Sequence, residues 1–227
     1  MRHEHSARLI WIITTAMAMV APTTARAQQL PFDRSVANRT GTRAIEVWGG
    51  VSRGSSMWGQ LGDMPYVSMT LTGVRFVEPV HKTQSVSVEY GIDLIPFAEM
   101  SAPYHDECDI CAATLNPWAG PPAHGVGINP ISLTAIFRTD RLLQIRMGAS
   151  GGALWFDQRV PTTTSARFNF TGEVEGGIQL ISRQGNGLVA LYRFHHLSNA
   201  GFGGENPGVA SHVFSLGARW RLGRASR

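Results

Sequence analysis

Residues 194–208, FHHLSNAGFGGENPG, gather the side-chain types that ester chemistry needs. A serine hydroxyl attacks an ester carbonyl at neutral pH only beside a base, and imidazole is the usual one. Ser198 follows His196 by two residues, at the end of GLVALYRFHH (187–196), which reads as a β-strand. In a strand, residues two apart stand on the same face. Leu188, Ala190, Tyr192, Phe194 and His196 therefore share one face, and Val189, Leu191, Arg193 and His195 the other. Small residues follow at once in Asn199-Ala200-Gly201, where backbone N–H groups can face an oxyanion. The competing reading is a polar, glycine-rich turn in which His-x-Ser is a chance pairing.

Two other motifs invite chemistry and are set aside. GASGG (148–152) matches G-x-S-x-G with Ser150 in the nucleophile position, but that motif works at a sharp strand-to-helix elbow. Here it lies inside a strand pattern with no helix after it, where glycine marks a bend or close packing. CDIC (108–111) holds the only two cysteines. In an oxidising compartment Cys108 and Cys111 read first as a disulfide, a small loop staple. A thioredoxin-like setting is missing, and His105 alone does not complete a metal site. No metal and no cofactor is expected.

The elements that must position His196 and Ser198 have a period of two. Residues 43–52, 66–77, 85–97, 125–137, 142–156, 166–181, 187–196 and 211–222 read as eight strands. SVSVEYGIDLIPF (85–97) alternates most regularly, with Val86, Val88, Tyr90, Ile92 and Leu94 on one face. Each run is about the length a tilted strand needs to cross a bilayer. Long connections (53–65, 98–124, 157–165, 197–210) alternate with short ones (78–84, 138–141, 182–186). Long loops outside and tight turns inside are the habit of a closed membrane barrel, and eight is the smallest common bacterial size. The fold class expected is all-β, an eight-stranded antiparallel transmembrane barrel of the outer membrane. Trp48, Trp155, Tyr192 and Trp220 are placed for an interfacial aromatic girdle. Arg193 is costly toward lipid, so its face is assigned to the interior and that of His196 to the membrane.

Composition agrees. Charged residues are 16% of the 227, against about a quarter in soluble domains. The start of the chain reads as a secretory signal over 1–27, with Arg2 and Arg8, an apolar core too short to span (9–21), and ARA (25–27) as a cleavage site. A lead-in (28–42), the barrel (43–222) and a short tail (223–227) complete the expected organisation. No later apolar run approaches the roughly 20 residues of a spanning helix. The net charge of +4 is carried almost wholly by arginine, which grips phosphate in a fork, so a phosphorylated lipid surface suits it. Plain solubility accounts for the same charge. Nucleic acid is not an expected partner.

HLSNAG (196–201) with NPG (206–208) at its spacing resembles the lipid A 3-O-deacylases of the PagL type, also labelled acyloxyacyl hydrolases. EYGIDLIP (89–96), GVGINP (125–130) and FNF (168–170) are similar to strand signatures of that family, so the resemblance spans roughly residues 43–222. It implies an outer-membrane serine esterase that removes the 3-O-linked acyl chain from lipid A of lipopolysaccharide in the outer leaflet. By motif match Ser198 is its nucleophile, His196 its general base, and the backbone N–H groups of Asn199 and Gly201 its oxyanion hole. The sequence departs from the family at Ala210, where described members carry the glutamate that orients the histidine. Asn206 or Glu205 is then the candidate third member or orienter. Arg159 and Arg167 are loop residues suited to lipid A phosphates. A homodimer suits a small barrel with an exposed site. Two rivals stand beside this reading: a barrel of weak or lost catalysis with a structural or surface-interaction role, and a soluble lipocalin-like carrier.

Overall fold

The computed structural model describes residues 42–55, 67–101, 121–206 and 208–223, without the side chains of 53–55. The expected signal segment, nearly all of the lead-in, and Cys108 and Cys111 lie outside the described residues.

Strands β1 (Ala44–Ser55), β2 (Ser68–Lys82), β3 (Val86–Ser101), β4 (Ala123–Phe137), β5 (Leu143–Val160), β6 (Ala166–Ile181), β7 (Gly187–Ser198) and β8 (Val209–Arg221) form a closed barrel in sequence order. Neighbours are antiparallel, and β8 pairs with β1 to close it. Most strands outrun their sequence limits, β3 to Ser101 and β7 to Ser198 among them. β2 continues through Pro79 to Lys82, because a register shift between Pro79 and His81 absorbs the missing N–H. β5 continues to Val160, which pairs with Ala166. The expected long connection 157–165 thus shrinks to a turn at 161–165, where Thr162 Oγ1 meets Ser165 Oγ at 2.8 Å.

The pleat sorts residues as the alternation requires. Val51, Ile131, Leu133, Val174, Leu188 and Phe214 stand on the outer surface, part of a broad apolar belt. Facing inward are Glu46, Arg75, Glu89, Asp93, Arg146, Glu173, Glu175, Arg193 and Arg219, all buried. A buried charge needs a partner, and each of these has at least one. Arg75 donates from Nε to both Asp93 oxygens at 2.9 Å and from its two Nη atoms to Glu175 at 2.8 and 3.2 Å. That fork links β2 and β3 to β6 across the lumen. Nearer the other end, Arg219 binds both Glu89 oxygens at 2.7 and 2.8 Å, and Arg219 and Arg146 each reach Glu46 at 2.7 Å. The loop end of the lumen is apolar instead: Met69, Leu71, Ile95, Met100, Phe156 and Leu197 belong to one buried cluster.

Trp48 corrects the girdle expectation. It is 5% exposed and points into the lumen, while Trp155, Tyr192 and Trp220 do face outward. The reason is phase: Trp48 is two residues from Glu46, so a buried Glu46 brings it inside. Its Nε1 donates to Asp93 Oδ1 at 3.0 Å, and the Arg193 guanidinium lies 3.9 Å from its ring centroid. Gly73 leaves room for it, since a Cβ there would come within 2.4 Å of the indole.

Replacing Arg75 with methionine keeps volume but takes from Asp93 its guanidinium partner, leaving it the Trp48 Nε1 donor, and leaves Glu175 only the longer ion pair to Arg193 at 3.6 Å and Thr134 Oγ1 at 3.4 Å. Breaking a buried pair in this way costs about 3–5 kcal/mol. Denaturant unfolding of the refolded barrel in lipid or detergent is the check. A loss near that of an exposed pair, under about 1 kcal/mol, contradicts it.

Candidate active site

His196 and Ser198 close strand β7, and the ladder on both sides sets their orientation. Glu175 pairs with Arg193 and Glu173 with His195 on β6, all four side chains buried in the lumen. His195 is fully buried, its Nε2 3.8 Å from Glu173 Oε1. One residue on, His196 turns to the outer surface between Gly172 of β6 and Ala210 of β8. Ser198, across from Phe170, follows on the same face. Beneath both, Leu197 is 0% exposed within the apolar cluster, so the end of the strand is held from inside. The expected separation of the two histidines by strand phase is what the structure has.

The loop after Ser198 carries φ of +52° at Ala200, +83° at Gly201, +102° at Gly203, +96° at Gly204 and +69° at Gly208. Four of these five positions are glycine, as the left-handed region favours. Those turns bring Asn206 back onto the serine. Ser198 Oγ donates to Asn206 Oδ1 at 3.0 Å and accepts from Asn206 Nδ2 at 2.9 Å and from the Ala200 N–H at 3.1 Å. The Asn199 N–H donates to Asn206 Oδ1, and the Gly201 N–H to Asn199 Oδ1, both at 2.9 Å. The serine therefore accepts from two N–H donors, with those of Asn199 and Gly201 engaged by Asn206 Oδ1 and Asn199 Oδ1, a setting suited to a nucleophile flanked by an oxyanion site. The Ala200 N–H lies in the stretch the sequence offers for an oxyanion but outside the pair the resemblance implies; its approach depends on a left-handed alanine, which no local signal announces.

His196 is held less well than Ser198. Its Nδ1 is buried and makes no hydrogen bond among the described residues. Its cross-strand neighbour on β8 is Ala210, 0% exposed and without a polar atom to offer. Neither candidate orienter reaches the imidazole. Asn206 binds the serine and the Asn199 N–H, and the Glu205 carboxylate accepts from Thr164 Oγ1 at 2.7 Å.

Aromatic rings frame the pair. Trp155, Phe168, Phe170 and Phe202 run in a row with successive centroids 6.3, 5.1 and 6.1 Å apart. On the other flank Tyr192 stacks on His212, and its hydroxyl hydrogen-bonds His212 Nδ1. Ser150 points into the lumen, where its hydroxyl meets Glu173 Oε2 at 3.2 Å, away from the outer surface.

Fold and site together define an outer-membrane β-barrel with a histidine and a serine on its membrane-facing wall. Residues 73–219, well over half the chain, match the family model described as Lipid A 3-O-deacylase (PagL), and the chain belongs to that family. Among solved structures it is similar to the crystal structure of the outer membrane enzyme PagL, with a TM-score of 0.52 and 16% identity over 78% of this chain and 99% of that one. It also matches Neisserial surface protein A, with a TM-score of 0.44 and 13% identity over 81% and 98%. A third match is the outer membrane protein AlkL, with a TM-score of 0.41 and 10% identity over 91% and 100%. No curated protein matches the sequence. At 16% identity the likeness to the PagL structure speaks to the fold alone, and the family assignment rests on residues 73–219.

Asn206→Ala removes the acceptor of the Asn199 N–H. One hydrogen bond is worth about 1 kcal/mol, so hydrogen exchange at that amide should accelerate roughly fivefold. Amides within the β6–β7 ladder, such as Glu175, should be unchanged. Equal rates at Asn199 in both proteins contradict the assignment.

Proposed function

We propose that this protein is an outer-membrane serine esterase that removes the 3-O-linked acyl chain from lipid A. The observation that carries the reading is His196 and Ser198 side by side on the outer wall, with the serine among N–H donors. Family membership supplies the substrate class. A site on the lipid-facing wall suits a substrate that stays in the outer leaflet while its ester is cut.

In the proposed reaction, the Ser198 hydroxyl turns from Asn206 Oδ1 to His196, which takes its proton as Oγ attacks the ester carbonyl. The oxyanion is met by the N–H groups of Asn199 and Gly201, released from Asn206 Oδ1 and Asn199 Oδ1 as the ester enters. Asn206 Nδ2, already 2.9 Å from the nucleophile, adds a third donor. His196 returns the proton to the departing sugar oxygen, and the acyl-enzyme is hydrolysed by water that His196 activates in turn. In this reading lipid A phosphates are assigned to Arg167, exposed at the loop end of β6, and to Arg159.

The weak element is the base. In a full triad an acid fixes the imidazole tautomer and stabilises the imidazolium, and its loss can cost ~10⁴ in rate. Ala210, at that place beside His196, leaves a two-residue machine. The same observation favours the second reading, a barrel that kept the fold and gave up most of its turnover.

Mass spectrometry of lipid A from cells expressing the wild type should show loss of one hydroxyacyl chain, and Ser198→Ala should abolish the change. Identical spectra from the two proteins would sink the reading. Ala210→Glu places a carboxylate beside His196 and should raise kcat by about tenfold or more, whereas Ala210→Leu should not. A wild type that folds yet releases no fatty acid, paired with an active Ala210→Glu variant, would establish the second reading.

A further inference from the structure

The loop from Asn199 to Gly208 has little reason to hold one shape. Its glycines at 201, 203, 204 and 208 all adopt positive φ, and such residues lose the most freedom on ordering. Yet Asn206 must sit within 3.0 Å of Ser198 Oγ. What fixes it lies in a different connection, the tight turn between β5 and β6. The Glu205 N–H donates to the Thr164 carbonyl at 3.3 Å, and Thr164 Oγ1 donates back to Glu205 Oε2 at 2.7 Å. Gly204 closes against the same carbonyl so tightly that a Cβ would come within 2.0 Å of it. Asn199 Nδ2 ties the near end of the loop to the Glu205 carbonyl at 2.9 Å.

The turn that receives these contacts is itself well braced. Thr162 and Ser165 are buried, and Thr162 Oγ1 binds Ser165 Oγ at 2.8 Å and Thr164 Oγ1 at 3.0 Å. The Ser165 N–H donates to the Thr162 carbonyl at 3.1 Å, and Arg159 Nη1 to the Ser165 carbonyl at 3.3 Å. A rigid turn thus grips a pliable loop at the residue just before the one that touches the nucleophile.

We propose that Thr164 is a positioning residue for Ser198, acting through its two-point clamp on Glu205 to seat Asn206 and the Asn199 N–H. This rests on the esterase reading above for its effect on rate. It gives Glu205 a mechanical role: its carboxylate anchors the loop from outside and does not serve as the acid of a triad. The clamp needs an acceptor at residue 205 and a hydroxyl at residue 164, but no negative charge.

Steady-state kinetics on purified lipopolysaccharide in detergent micelles test this, with heat-modifiable gel mobility confirming that each variant is folded. Thr164→Val and Glu205→Ala should each lower kcat about tenfold with KM within about twofold, since small displacements of a reacting group are costly. Thr164→Ser and Glu205→Gln, which keep the hydroxyl and the acceptor, should restore kcat to within about threefold of wild type. The double variant Thr164→Val/Glu205→Ala should lose no more than either single one, as expected of two ends of one contact. A Thr164→Val enzyme with wild-type kcat overturns the proposal, and so does a double variant whose losses multiply. Loss of activity in Glu205→Gln with Thr164→Val fully active would make Glu205 an acid instead of an anchor. Should folded wild type release no acyl chain at all, the esterase reading fails and the clamp is judged by hydrogen exchange. Faster exchange of the Asn199 amide in Thr164→Val then supports it, and an unchanged rate overturns it.

Discussion

The fork by which Arg75 holds Asp93 on one side of the lumen and Glu175 on the other is the contact from which the arrangement of the rest follows. Lipid charges a heavy toll on an exposed guanidinium, so the strands that carry these groups must turn them inward. Once one residue of a strand has its side fixed, every other residue of that strand is fixed too, because a slip of one flips the whole set. Arg193 does this for β7: Nη1 lies 3.3 Å from Glu173 and the guanidinium stacks on Trp48. His195 follows it by two and goes inside; His196 follows by three and goes out. The outward aim of the candidate base is thus a consequence of an ion-pair network on the other side of the wall.

The lumen has two layers, and they do different work. The charged layer sets strand phase and bridges opposite walls. Above it, the apolar layer of Met69, Leu71, Ile95, Met100, Phe156 and Leu197 closes the loop end. Leu197 lies between His196 and Ser198 in sequence, so its burial anchors the backbone that presents both. Val209, across from Leu197 on β8, belongs to the same cluster and anchors the far end of the glycine-rich loop. A polar plug at this level would need satisfied hydrogen bonds at each position; an apolar one needs only volume and contact. The position of the candidate site therefore depends on packing inside the barrel as much as on the polar contacts around the serine.

How much of this the sequence discloses follows from the range of each interaction. The eight strands are legible because inside and outside alternate along most of their length, and SVSVEYGIDLIPF shows it from Val86 to Pro96. The outward aim of His196 is legible because Arg193 lies in the same strand. Trp48 is misread as girdle because an indole suits both the interface and a cation–π stack, and only the burial of Glu46 two residues away decides between them. The shortness of the β5–β6 turn is hidden because Val160 to Ala166 contains Pro161 and a run of Thr and Ser, which reads as loop. Thr164 meets Glu205 across 41 positions, and the approach depends on φ at five residues of another loop. No local pattern encodes such a contact.

Ala210 shows how register turns a sequence difference into a chemical one. Fourteen positions after His196 it is merely a small residue; in the ladder it is the neighbour across β8, at the edge where an orienting acid would stand. The hydrogen bonds of the site are distributed accordingly. Ser198 Oγ has three contacts with N–H or carbonyl groups, while the buried Nδ1 of His196 has none. A triad fixes its base and leaves its nucleophile free to follow; here the candidate nucleophile is fixed and the candidate base is loose. Attack in the proposed reaction then requires the serine to leave Asn206 for an imidazole that no described residue holds in the receptive tautomer. Among the described residues the imidazolium so formed has no adjacent carboxylate to offset its charge at a membrane-facing position. In the proposed reaction the disadvantage of this site accordingly falls on proton transfer, and the well-ordered serine and its surrounding donors do not offset it.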